Sequence, residues 1–153
     1  LAISQNARFY GEAAPDAEFE HPPGASIAKV LKDALAKSRW EVSDIDNWRD
    51  TGWSMTCCRP ESKLELVIAK MTVGKEWFLQ IAPSYVPGLV GWFLKKPASA
   101  SPDAIQALAQ DALSVLSETG RYRGFRWCWD GPPEEGNSAP VPVPAEGPQQ
   151  TSG

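Results

Sequence analysis

Three carboxylates, Asp44, Asp46 and Asp50, crowd into the stretch 44–50 together with Asn47, Trp48 and Arg49. Oxygen donors at such density can hold a hard cation. The spacing of a calcium loop and its terminal glutamate are missing, however, and Arg49 places a positive charge inside the cluster, so turn-capping and solvent-facing roles are expected and no metal is assigned. A recognition role fits the residue types better. Trp48 offers a large amphipathic surface with few rotatable bonds, and the carboxylates around it would steer a basic partner. Trp92, a second tryptophan placed in a connection and not in a periodic element, joins them. The candidate interface is therefore Asp44, Asp46, Trp48, Arg49, Asp50 and Trp92.

Other chemistry has thinner support. His21 is the single histidine and stands beside Pro22, so a nucleophile pair would have to bring it across the fold to Cys57, Cys58 or Cys128. Adjacent Cys57 and Cys58 point to opposite faces of a strand, which also prevents them from converging on one zinc ion. No catalytic residue is assigned on these grounds. Neither glycine-rich phosphate motif occurs, and no cofactor is expected. Two alternatives stay open. One is a small enzyme using carboxylates such as Asp46, Asp50 and Asp130 with Arg49 or Arg126; the other is an aromatic-lined small-molecule site, with Trp48 beside Arg49 or with Trp127 and Trp129 around Arg126. For that last pair, strand alternation already accounts for burial in a core.

The chain has 153 residues, nineteen acidic and fifteen basic side chains and a net charge of −4. That balance offers no general attraction to a phosphate backbone, so nucleic acid is not an expected partner. Three cysteines do not make a disulfide framework, and reduced thiols in a cytoplasmic protein are expected. No apolar run approaches the roughly 18 residues of a membrane span, and no basic region leads into an apolar one at Leu1.

The elements that would position the interface are legible from period. Trp53, Met55 and Cys57 alternate with polar residues, Leu64 to Met71 is rich in β-branched and long apolar side chains, and Trp77 to Ile81 repeats the pattern. Breaks at 59–62 and 73–75 join these as a three-stranded antiparallel meander. Upstream, Ile27, Val30, Leu31, Ala34 and Leu35 form one stripe of a helix over 26–38, and residues 40–45 can form a strand leaving it. Downstream, Ser101 as cap, Pro102 and Asp103 in the first turn, a stripe from Ile105 to Leu116 and Gly120 as stop define a second helix. Phe125, Trp127 and Trp129 alternate along a final strand. Between meander and second helix, 82–97 is apolar but cut by prolines and glycines, holding neither period.

These elements predict an α+β two-layer sandwich: a mostly antiparallel sheet of about five strands with two helices on one face. Residues 1–23 read as an irregular arm with a short edge strand near 7–10, residues 24–130 as one domain, and 131–153 as a proline-rich flexible tail unable to offset its ordering entropy. In general build, compact, acidic and without a catalytic set, the chain resembles small bacterial proteins that neutralise a specific toxin. That resemblance implies a protein-binding role, as would an adaptor. The expected function is a non-catalytic domain that binds another protein with a basic surface.

Overall fold

The computed structural model describes residues 3–12, 22–60, 62–71, 75–84 and 101–144. His21, Trp92 and most of the apolar link lie outside them. Seven strands and two helices occur among the described residues: β1 (Gln5–Gly11), α1 (Ala25–Ala36), β2 (Glu41–Val42), β3 (Asp46–Trp48), β4 (Gly52–Arg59), β5 (Ser62–Lys70), β6 (Glu76–Pro83), α2 (Pro102–Glu118) and β7 (Tyr122–Trp129). The strands form one sheet in the order β2-β4-β5-β6-β1-β7, with β3 also paired to β4. The pairings are antiparallel, and β4, β5 and β6 are the meander expected from period two.

Seven strands replace the expected five for two reasons. The arm contains β1, which is no edge strand: it pairs with β6 on one side and β7 on the other, burying Ala7 and Phe9. The expected strand at 40–45 is instead an edge strand interrupted by a bulge. Val42 pairs with Cys57 and Asp46 with Ser54, so three residues, Ser43 to Ile45, face two, Met55 and Thr56. The extra residue is accommodated because Ser43 Oγ accepts from Thr56 N (2.8 Å) while Ser43 N donates to Thr56 O (2.9 Å).

Local chemistry accounts for the helices. Ser101 Oγ accepts from Ala104 N (3.1 Å), with Pro102 at the first helical position and Asp103 in the first turn, and α2 buries Ala104, Ile105, Leu108, Ala109, Ala112 and Leu116. In α1 the buried stripe is Ile27, Ala28, Leu31 and Leu35. Val30, expected within that stripe, is 41% exposed. Both helices contribute to one core cluster with β1, β4, β5, β6 and β7, and they also contact each other.

Register sorts the sheet residues by face, because directly opposed residues project to the same side. Asn47, Trp53, Ile68, Leu79, Ala7 and Trp127 form one cross-strand row, and Ile68, Leu79, Ala7 and Trp127 in it are fully buried core residues. The adjacent row, Trp48, Gly52, Ala69, Phe78, Arg8 and Arg126, lies on the other face. Beyond β7 the chain turns back along the sheet edge. Ala139 exchanges both backbone hydrogen bonds with Trp127, Val143 N donates to Gln5 Oε1 (2.7 Å), and Trp129 Nε1 donates to Val143 O (3.0 Å). Among the described helices, none is long and apolar enough to cross a membrane.

Candidate functional site

The β3–β4 hairpin gathers four of the six candidate interface residues. Its turn is Arg49-Asp50, with Thr51 N donating to Trp48 O (3.0 Å) and Asp50 N donating to Asn47 Oδ1 (2.8 Å). Both turn residues are left-handed, with φ of 53° and 57°, the sense that type I′ hairpin turns require. Neither is glycine. An aspartate tolerates this region, but arginine there carries roughly 1–2 kcal/mol of strain. Strained side-chain-bearing residues at a hairpin tip are where recognition chemistry tends to be found.

Arg49 turns back so that its guanidinium carbon lies 5.0 Å from the centre of the Trp48 ring. Trp48 is half-buried, and Asp46 and Asp50 are exposed. Asp46 and Trp48 project to one face, two residues apart on the same edge strand. Asp44 is set apart from them. It sits in the bulge, and its carboxylate, almost wholly exposed, pairs with Lys32 Nζ of α1 at 3.0 Å. Trp92 lies outside the described residues.

The described tryptophans differ in packing and in the partners of their indole N–H groups. Trp40, Trp77 and Trp127 belong to the core cluster, and Trp53 and Trp129 pack against it. Their indole N–H groups are mostly engaged: Trp40 with Asp111 Oδ2 (2.7 Å), Trp53 with Pro22 O (2.7 Å), Trp77 with Gly11 O (3.0 Å) and Trp129 with Val143 O. Trp48 alone among the described tryptophans neither belongs to that cluster nor packs against it.

The groups proposed for other chemistry are scattered. Asp130 lies past β7, where its carboxylate accepts from Ser4 N (3.0 Å), at the sheet edge opposite the hairpin, so it does not converge with Asp46 and Asp50. Burial pushes the Cys57 thiol up to about 12, with the neighbouring Cys58 adding to the shift. Burial likewise raises Cys58 and Cys128, so all three sulfurs stay protonated and poorly nucleophilic near neutral pH. Among the described residues no three metal-ligating side chains converge on one point.

Two features escaped the sequence. Asp111 of α2 accepts from both the Trp40 indole and Arg39 Nε (3.1 Å), while Arg39 and Arg59 lie over the Trp40 ring at 6.0 and 5.1 Å. Its position on the polar side of an amphipathic helix carried no signal. The second is a cationic groove near Tyr10, hinted at only by Arg121 and Arg123 on either side of Tyr122. Comparison with protein-family models, with curated proteins and with solved structures found no match.

Proposed function

We propose that the chain is a non-catalytic protein-binding domain, of the toxin-neutralising or adaptor kind, that holds a partner with a basic surface through the β3–β4 hairpin. In this reading the two helices form one layer over one face of the sheet. Trp48 belongs to the other face, at the edge, where a partner can reach it. The observation that carries the proposal is Trp48's exclusion from the core: a large, rotationally restricted aromatic retained outside the cluster that holds or packs against the other described tryptophans. Asp46 and Asp50 add steering charge beside it, Asp44 adds more from the bulge, and Trp92 is included as a further anchor. The Arg49 guanidinium covers part of the ring in the free protein and moves aside or stacks against the partner on binding.

The test uses a partner recovered by native capture and then purified. Trp48→Ala should change unfolding free energy by about 1 kcal/mol or less, in contrast to the roughly 3–5 kcal/mol of a core tryptophan. It should weaken binding by about 2 kcal/mol or more. Replacing Asp44, Asp46 and Asp50 together by asparagine should slow association and flatten its salt dependence. Calorimetry at two ionic strengths reads both effects, and wild-type affinity and salt response in both folded variants would refute the interface.

A further inference from the structure

The far edge of the sheet carries a second surface, built from residues remote in sequence. Tyr10 of β1 pairs with Arg123 of β7, and an edge of its ring abuts Gly124. A Cβ at Gly124 would stand 2.9 Å from the Tyr10 ring, and the backbone there is left-handed, with φ of 70°. A glycine is thus required for the edge of the ring to come this close to the strand, yet Tyr10 keeps 44% of its surface exposed.

Tyr10 is the wall between two grooves. One, of about 390 Å³, is lined by Arg8, Tyr10, Arg126, Pro133, Glu134 and Glu135, so two arginines and two glutamates balance in its lining, and Arg8 is already paired with Glu76. The other, of about 430 Å³, is lined by Tyr10, Gly11, Glu12, Lys75, Arg121 and Arg123. It holds three cations against one carboxylate in a chain whose net charge is −4. Glu12 is paired with Lys75, and that hydrogen bond, followed by the lysine's charge, holds its carboxyl below the usual range. The groove therefore already favours a carboxylate at one end. Arg121 and Arg123 are exposed, and their guanidiniums meet no carboxylate among the described residues. The floor is fixed, because Gly11 N donates to Lys75 O (3.0 Å) and Gly11 O accepts from the Trp77 indole.

We propose that this groove binds a small organic oxyanion, a carboxylate or phosphate monoester attached to a flat apolar body. Arg121 and Arg123 take the oxyanion through their planar N–H donors, and the exposed face of Tyr10 takes the body. An extended polyanion is disfavoured, since Glu12 bounds one end and Glu134 and Glu135 line the adjoining groove. The site is independent of the hairpin, being across the sheet at β1 and β7.

Titration of the isotope-labelled chain with phenyl phosphate, benzoate and inorganic phosphate, followed by amide chemical shifts and calorimetry, tests the proposal. Saturable shifts at Gly11, Arg121, Arg123 and Gly124 are expected with phenyl phosphate or benzoate, and whichever binds more tightly identifies the anion. Inorganic phosphate, lacking the flat body, should bind about tenfold more weakly. The double change Arg121→Gln and Arg123→Gln, at exposed positions that leave the fold intact, should weaken binding at least about tenfold. Tyr10→Leu should weaken the aryl ligands and leave inorganic phosphate unchanged; if that variant does not fold, the arginine pair decides. Trp48→Ala should leave all three titrations unaltered, which separates this site from the hairpin. Non-saturable binding, shifts centred elsewhere, or unchanged affinity in the arginine double variant would overturn the assignment.

Discussion

Cys57 shows how a side chain with reactive chemistry becomes inert through its surroundings. It is fully buried in β4, and burial raises its thiol from 9.0 to about 12. A raised folded-state value means that the native state favours the protonated thiol. Its contribution to stability is complete below the unfolded-state value and is lost as pH rises from about 9 through about 12. Unfolding by urea across that window should therefore weaken more steeply for the wild type than for Cys57→Ala, the difference isolating this thiol from titrating lysines and tyrosines. A thiol-reactive reagent at pH near 8 should leave Cys57 unmodified in the native protein and label it on unfolding. Asp111 illustrates the opposite case. An ordinary carboxylate on a helix becomes structural because the Trp40 indole, buried beside it, has its N–H satisfied there.

Within the β3–β4 hairpin, the turn and the strand beside it respond differently to small changes. Asp50 sits at φ 57° with its side chain exposed. Asp50→Gly removes the cost of a left-handed non-glycine residue, so stability should rise by up to about 1 kcal/mol in urea unfolding while one of the proposed steering charges is lost. Gly52, two residues later, allows no such freedom. A Cβ there would lie 2.3 Å from the Ile68 carbonyl oxygen, a backbone atom of β5 that cannot swing away. Gly52→Ala should therefore destabilise by about 1–3 kcal/mol or more by forcing β4 and β5 apart. Opposite signs at these two positions would show that the left-handed side-chain-bearing residue costs stability in the turn and that glycine is sterically required in the strand.

Across the whole molecule, β1 and the returning chain after β7 close one side of the sheet. Truncation before Gly136 would remove the two-bond bridge between Trp127 and Ala139, both bonds between Gln5 and Val143, and the bond from the Trp129 indole. Gln5 is fully buried, so its amide would be left without those partners. The proline-rich composition alone predicts a dispensable tail. The observed bonds predict that removing 136–153 lowers unfolding free energy by about 3 kcal/mol, read from urea denaturation. The binding proposed for the hairpin should survive at temperatures where the shortened chain is still folded, because the truncation acts at the opposite edge of the sheet.

Features specified by neighbours within a few residues were legible in the sequence. The meander followed from alternation, α2 from its serine cap and proline start, and the hairpin residues Asp46, Trp48, Arg49 and Asp50 stayed together because no more than four residues separate them. Contacts between distant segments left no local period to detect. The insertion of β1 between β6 and β7 depends on partners more than 65 positions away, and only assembled packing could choose it over an edge placement. The bulge at Ser43 to Ile45 depends on β4 register, and with it Asp44 was turned from the hairpin toward Lys32. Trp53 was legible as a strand residue from its alternation with Met55 and Cys57, whereas Trp48 stood in a polar, turn-prone stretch without a period. What only the three-dimensional core decided is their packing: Trp53 lies against it with its indole N–H on the Pro22 carbonyl, a partner 31 positions away that no local pattern announces, and Trp48 does not pack against it.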